Sequence, residues 1–310
     1  MLSPKLFHIL AHTYPVMNNK IITLKDASLN LNTIVQLISH GCGVIALPTD
    51  TVYGLACSVY NTESIERIRR IKGRSETKPM AICLDQVSHI SHWCDTKNIP
   101  TGLLSDLLPG PVTVLLPRFP DKLQDPLNCH LNPGERRVGI RIPDSGFIRK
   151  LISALHEQTK LSSTSGNDEY SGGGHPLVLT SANLSGQPSA IQIEEFSEIW
   201  PSIDLIVNGG PIQPSLPSVN LDYNRSGSTI IDLCDCDKSI YYVVRSGSRT
   251  GRSLQLISGE ILTQTHFLIN PTYSEISTLD ALNFADFCLF FLEKLCNNYL
   301  SVTSENEGDG

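Results

Sequence analysis

The 310 residues show no excess of positive charge, no long apolar run and no paired cysteine pattern. The formal net charge of −7 argues against bulk electrostatic binding to nucleic acid, which needs a basic face. It leaves room for a local basic pocket where Arg67, Arg69, Arg70, Lys72, Arg74 and Lys78 crowd together. No apolar stretch approaches the roughly 20 residues that cross a bilayer. The nine cysteines are scattered and odd in number, which suits a reducing compartment better than a disulfide framework. His89, His92 and Cys94 lack the second pair of a zinc finger, as do Cys234 and Cys236, so no metal ligands are assigned. Also missing are a GxxxxGK(S/T) loop, a GxGxxG turn after a strand and a GxSxG elbow. A standard NTPase, a dinucleotide-binding dehydrogenase and an α/β-hydrolase lose ground accordingly. No secretory h-region is present. The first 25 residues contain Lys5, Lys20 and Lys25 but no Asp, Glu or Arg. Residues 1–20 therefore read as a disordered leader, weak as a mitochondrial signal, and the expected location is cytoplasmic.

What is present concentrates between Gly43 and Pro79. The apolar run Val44 to Leu47 reads as a buried strand ending at Pro48, which cannot donate to a sheet ladder. Thr49, Asp50 and Thr51 set three short polar side chains at the strand's mouth. Gly54 then lets the backbone pass close to whatever sits there. The spacing of Ile65, Ile68 and Ile71 predicts a helix over Thr62 to Ile71, capped by Asn61 or Thr62. It runs into Lys72, Gly73 and Arg74, with Lys78 and Pro79 just beyond. A polar strand mouth and a basic loop in one strand–helix unit can form a site for a polyanionic small molecule.

Elsewhere the pattern predicts an edge strand at Ile21–Leu24 and a helix at Asp26–His40 closed by Gly41. Strands are expected near Met80–Leu84, Val112–Leu116, Val138–Pro143, Leu177–Thr180, Leu205–Val207, Ser228–Asp232 and Tyr241–Val244. Helices are expected before Pro109 and over Phe147–Leu155. Short strands interleaved with helices give an α/β class with a mixed sheet, and polar motifs at strand ends suit ligand binding there. The main domain is expected over residues 21–250, with a Ser/Gly-rich flexible insertion at 156–176. Residues 251–310 form an extension with an apolar helix, Leu279 to Leu295, and an acidic disordered tail. That helix has too few basic positions for a membrane surface and reads as a packing helix.

Each candidate has a functional and a structural reading. Lys72, Arg74 and Lys78 suit phosphoanhydride oxygens, or merely a helix C-terminus. Ser181, Asn183 and Ser185 at a strand end offer hydroxyl and amide groups to a carboxylate or ribose, or form a turn that needs no ligand. Arg141 and Arg245 sit in or just after apolar strands and need either an internal carboxylate or an anionic ligand.

Seven motifs taken together, and in order, resemble the YrdC/Sua5 family of threonylcarbamoyl-AMP synthases, in its short, eukaryotic-like YrdC form. They are PTDTVYGL (Pro48–Leu55), IKGRSETKPM (Ile71–Met80), LPGPVTVLL (Leu108–Leu116), VGIRIP (Val138–Pro143), TSANLSG (Thr180–Gly186), GSTIID (Gly227–Asp232) and VVRSG (Val243–Gly247). The resemblance implies an open twisted mixed sheet with helices around a concave basic cavity. It implies condensation of L-threonine, bicarbonate and ATP to threonylcarbamoyl-AMP and diphosphate, with Mg²⁺ accompanying ATP. A separate transferase complex then modifies adenosine 37 of tRNAs reading ANN codons, so that tRNA contact is at most indirect or weak. Carried over by position, the resemblance implies that Lys72, Arg74 and Lys78 would be the catalytic cations, with Arg74 and Lys78 at the ATP phosphates. It implies that Thr51, Arg141, Ser181 and Ser228 would hold threonine, and that Asn183 and Arg245 would face the nucleotide. Cys83 stands where longer members often carry a histidine, and Arg137 where a small hydroxyl residue is common. Two other readings compete: a non-catalytic nucleotide- or RNA-binding module on the same fold, and one module of a hydrogenase-maturation machine. Dependence on L-threonine separates the synthase from both.

Overall fold

The computed structural model describes residues 20–73, 78–121, 123–162, 173–213, 225–238 and 241–247. Contacts group the chain into two units, Met1–Leu268 and Ile269–Gly310, and every described residue belongs to the first. Arg74, nearly all of the expected leader, residues 163–172 of the expected insertion and the expected helix Leu279 to Leu295 lie outside the described residues.

Among the described residues ten strands form one mixed sheet. In chain order they are β1 (Ile21–Thr23), β2 (Ile45–Pro48), β3 (Tyr53–Ser58), β4 (Ala81–Cys83), β5 (Val112–Pro117), β6 (Arg137–Arg141), β7 (Leu177–Ser181), β8 (Leu205–Asn208), β9 (Thr229–Asp232) and β10 (Tyr242–Arg245). Across the sheet they run β1-β8-β2-β3-β7-β4-β6-β5-β9-β10. The β1–β8, β2–β8, β4–β6 and β5–β9 pairs are parallel, and the rest are antiparallel. The α-helices are α1 (Leu24–Leu29), α2 (Leu31–Ser39), α3 (Thr62–Lys72), α4 (Ile90–Trp93), α5 (Leu103–Leu107) and α6 (Gly146–Ser162). Ile34, Val35 and Ile38 of α2 and Ile148, Leu151, Ile152 and Leu155 of α6 share one core with Ile45, Leu47, Ala56, Leu179 and Leu205 of the sheet. These positions recur at three- and four-residue spacing on the helices, as an apolar face must to cover a sheet.

The structure departs from the sequence reading at three places. The Tyr53-Gly54 pair, to which the sequence reading assigns no element, opens β3, whose six residues are all buried between β2 and β7. A strand covered on both faces loses the polar alternation that would reveal it. Gly54 belongs there for packing, since a Cβ would lie 2.7 Å from Leu179 Cδ1. The single helix expected over Asp26–His40 is two. Thr23 Oγ1 caps α1 by accepting from Asp26 N at 3.1 Å, and Asn30 breaks the run by donating Nδ2 to Asp26 O at 2.8 Å, the side-chain competition that makes Asn a poor interior residue. Residues 156–162, expected in the insertion, are helical, because α6 continues to Ser162. Nothing between His156 and Ser162 is a helix breaker, and Glu157, Gln158 and Lys160 favour helix.

His175, inside the stretch expected as a flexible insertion, is instead buried in the core and makes stability depend on pH. Thr159 Oγ1 donates to Leu155 O at 3.0 Å, so it accepts from His175 Nδ1 at 2.8 Å. This assigns the acceptor role to Nε2, 2.9 Å from Ser58 Oγ. Burial, aided by the charge of His156, pushes the His175 pKa down to about 4. Burial also lowers those of His92 and His156, with His89 facing both and Lys160, Glu157 and Asp85 facing His156. A depressed histidine contributes stability that is whole above its unfolded pKa and lost as pH falls. The unfolded chain therefore takes up the proton first, and on the order of 3 kcal/mol from His175 disappears between about pH 6.5 and 4. The expected result is a urea midpoint that falls over this interval while the His175 ring NMR signal stays at its neutral position to about pH 5. A ring that titrates near 6.5 would remove the effect.

Candidate active site

The mouth of β2 is shaped by one hydroxyl. Thr49 Oγ1 donates to Val52 O at 2.7 Å and accepts from Thr51 N at 3.1 Å and Val52 N at 3.2 Å. The loop so folded directs three oxygens at Arg141, the last residue of β6. Arg141 Nη2 lies 2.5 Å from Asp50 Oδ1, 2.6 Å from Thr51 Oγ1 and 3.2 Å from Thr49 Oγ1. Both partners of the Arg141–Asp50 pair are buried, with side chains 7% and 5% exposed, and Asp50 Oδ2 also accepts from Asp144 N at 3.2 Å. Arg141 Nε is buried without a partner.

A second arginine stands nearby, and no carboxylate among the described residues pairs with it. Arg245, at the end of β10, donates Nε and Nη2 to Ser228 O at 3.2 and 2.8 Å, and Nη2 to Ser228 Oγ at 3.2 Å. Ser228 Oγ in turn meets Thr113 Oγ1 at 2.7 Å. Gly247 clamps this turn, since a Cβ there would lie 2.1 Å from Thr229 N and 2.3 Å from Ser228 C. The residue Arg245 is exposed overall, but its guanidinium end is withdrawn from water. That withdrawal, and then the charge of Arg141, pull its pKa down to about 10, which leaves it cationic at neutral pH. Two arginines feel one another's field, and among the described residues only Asp50 ion-pairs with either.

The third component hangs on Lys72. Asn61 Oδ1 caps α3 by accepting from Ser64 N at 2.9 Å, and the last turn carries Arg69, Arg70 and Lys72, where cations suit the helix dipole. Lys72 is 4% exposed. Its Nζ donates to Asn183 O at 2.7 Å, Ser181 O at 2.9 Å and Ser181 Oγ at 3.3 Å, and its carbonyl accepts from Ser185 N at 3.0 Å. Asn183 Nδ2 braces the loop through Leu184 O and Gln187 O, while its Oδ1 is buried without a partner. Beside this loop a cavity of about 240 Å³ is lined by Arg69, Lys72, Lys78, Asn132, Glu135 and Thr180 among others.

Thr51 and Arg141 are thus in direct contact, Ser228 and Arg245 form a second bonded pair in the field of Arg141, and Ser181, Asn183 and Lys72 form a third group. Lys78 lines the cavity with Lys72, and Arg74 lies outside the described residues. Sequence reasoning did not assign Asp50, Thr113, Arg69 or Asn132. The signal for Asp50 was present, as an internal strand arginine needs a carboxylate and Asp50 stands at a strand mouth. Cys83 pairs with Arg141 in the β4–β6 register and is fully buried, and burial pushes its thiol pKa up, so it packs rather than reacts. Arg137 Nη1 pairs with Asp232 Oδ2 at 2.8 Å.

An α/β sheet with two arginines and, among the described residues, one paired carboxylate at one mouth, and with a cavity walled by Arg69, Lys72 and Lys78 beside a hydroxyl–amide loop, has the chemistry of a small-anion site. The chain belongs to the Sua5/YciO/YrdC family, whose sequence model, described as "Telomere recombination", matches residues 36–234. It is 44% identical over 191 residues to threonylcarbamoyl-AMP synthase of Bos taurus, covering 61% of this chain and 59% of the relative. The corresponding figures for threonylcarbamoyl-AMP synthase of Homo sapiens are 41% over 191 residues, 61% and 58%. The chain spans about three fifths of the length of these curated relatives. The crystal structure of P. abyssi Sua5 complexed with L-threonine matches with a TM-score of 0.58 at 24% identity, over 80% of this chain and 61% of that one, a likeness of fold. The family and the fold expected from the seven motifs are therefore borne out.

Proposed function

We propose that the protein is a threonylcarbamoyl-AMP synthase, making threonylcarbamoyl-AMP and diphosphate from L-threonine, bicarbonate and ATP. The observation that carries this reading is the arginine pair. Among the described residues Asp50 pairs with Arg141 and no carboxylate pairs with Arg245, which lies in the field of Arg141, so the described mouth has room for one more negative charge. An amino-acid carboxylate supplies that charge, and the Thr51 and Ser228 hydroxyls stand beside it as acceptors or donors. A separate cation-lined cavity for phosphate suits a reaction that joins an amino acid to a nucleotide. Asn183 Oδ1, an unsatisfied buried acceptor, suits a donor from the nucleotide.

In the proposed sequence the threonine nitrogen attacks the bicarbonate carbon and, with loss of water, forms a carbamate. A carbamate oxygen then attacks the α-phosphorus in line, and the bond to the β-phosphate breaks with its electron pair leaving on diphosphate. The protein contributes position and charge rather than a nucleophile. Arg141 and Thr51 orient threonine, while Lys78 and Arg74 meet the phosphates. Among the described residues no three His, Cys, Asp or Glu side chains gather into a metal cage. Mg²⁺ would enter as the triphosphate's counter-ion beside Lys78 and Arg74 and would supply positive charge that offsets the phosphate oxygens. The product passes to a tRNA-modifying transferase complex, and the net charge of −7 favours an indirect tRNA contact at most, in the cytoplasm.

Pyrophosphate release from ATP, Mg²⁺ and bicarbonate is expected to require L-threonine and to fall steeply when serine replaces it. ATP binding without threonine-dependent release would favour the non-catalytic nucleotide-binding module instead.

A further inference from the structure

The cavity beside Lys72 has a cation that neither the motifs nor the proposed chemistry uses. Arg69 lies in the last turn of α3, one helical turn before Gly73, and lines the cavity with Lys72 and Lys78. Arg69 Nη2 donates to His130 O at 2.8 Å, its Nε is buried without a partner, and no carboxylate among the described residues pairs with it. The neighbouring arginines differ: Arg67 pairs with Asp204 and Arg70 with Glu63. A guanidinium at a cavity wall that no described carboxylate pairs with is arranged for an anion.

The facing wall is built rather than accidental. Asn132 is buried and holds a left-handed φ of +50°. Its Oδ1 accepts from Met80 N at 2.9 Å and its Nδ2 donates to Met80 O at 2.7 Å, which fixes the backbone that carries Lys78. The loop bearing Asn132 is anchored from below by Arg118, which pairs with Asp125 at 2.6 Å and donates to Leu131 O at 3.1 Å. The acidic lining residue, Glu135, has Arg137 Nη2 at 3.7 Å, so its charge is partly offset. At about 240 Å³ the cavity is below the roughly 300–1,000 Å³ of sites that enclose a whole drug-sized ligand. It suits one end of a ligand, and its cations select a phosphoanhydride end.

We propose that Arg69 is a phosphate-binding residue, taking the distal phosphates of the nucleoside triphosphate, and the diphosphate derived from them, in this cavity. The proposal rests on ATP being the substrate, but its test does not require turnover. Inorganic pyrophosphate with Mg²⁺ is titrated calorimetrically into the full chain at fixed ionic strength. Arg69→Gln is expected to weaken binding roughly 10- to 100-fold, the scale of a charge-assisted contact, and Arg69→Lys to fall between. Arg69 also tethers His130, so a control loosens that residue without touching Arg69: Asn128→Ala removes the 2.9 Å bond that Asn128 Oδ1 accepts from His130 N and the 3.0 Å bond from Asn128 Nδ2 to Thr62 Oγ1, and is expected to leave pyrophosphate affinity unchanged. Wild-type affinity in Arg69→Gln, equal loss in Asn128→Ala, or no pyrophosphate binding by the wild type would each overturn the proposal. If pyrophosphate binds through Arg69 but release never depends on threonine, the synthase reading fails alone. If release depends on threonine and Arg69→Gln binds normally, the Arg69 assignment fails alone.

Discussion

Arg141→Met is expected to reduce threonine-dependent diphosphate release by at least roughly 100-fold, the scale of a misplaced reactant, and to lower stability by about 3–5 kcal/mol. The two losses have different origins. Activity falls because the guanidinium that would orient the threonine carboxylate is gone. Stability falls because Asp50, with a side chain 5% exposed, keeps a buried charge whose partner has been removed, and a lone buried carboxylate is far costlier than a buried pair. A second substitution separates them. In Asp50→Asn/Arg141→Met the stranded charge disappears, while Asn Oδ1 can still accept from Asp144 N as Asp50 Oδ2 does at 3.2 Å. The double variant is expected to regain most of the urea stability and none of the activity. Recovery of both would remove Arg141 from the site, and recovery of neither would mean that Asp50 is not stabilised chiefly by that arginine. Lysine is a poor substitute at this position, because a single ammonium cannot span Asp50 and Thr51 while presenting a fork to a ligand.

The parts of this site that were legible in the sequence are those whose chemistry is local. Thr49 to Thr51 after a proline-terminated strand, and Ser181 to Asn183 at another strand end, announce polar strand mouths without any tertiary information. What stayed hidden depends on the sheet order. Ser228 and Thr113 are far apart in sequence and meet only because β5 and β9 pair in parallel. β3 was missed for a related reason, since its place between β2 and β7 buries both faces and removes the alternation that marks a strand. The stretch from Pro117 to Pro133 has no regular pattern in the sequence, because its order comes from tertiary ties such as Asn132 to Met80 and Arg69 to His130. Composition gave no sign of the anion site either: a net charge of −7 conceals a local surplus of arginine, and local charge decides binding in a cleft.

At Lys72 sequence and structure give one residue two different parts. Its place before Gly73 and Arg74 suggests a loop cation aimed at phosphate. The structure buries it, and its ammonium reaches three acceptors of a single loop, Ser181 O, Ser181 Oγ and Asn183 O. An ammonium has three donors and a carbonyl left buried and unpaired costs about 1–3 kcal/mol, so Lys72→Met is expected to lower stability by about 3 kcal/mol. It is also expected to cut turnover severely, because Ser181 and Asn183 lose the tether that sets them. Lys72→Arg should not rescue either property, as a planar fork cannot converge on the acceptors that a point-like ammonium gathers. Urea midpoints read beside pyrophosphate affinity decide between the two parts. A pure phosphate ligand predicts that Lys72→Met keeps its midpoint and loses pyrophosphate, with Lys72→Arg near normal. A positioning residue predicts a lowered midpoint in both variants, with turnover falling further than pyrophosphate affinity. The 2.7 Å and 2.9 Å bonds to backbone carbonyls favour the second outcome, since a backbone acceptor holds its partner whether or not a nucleotide is bound.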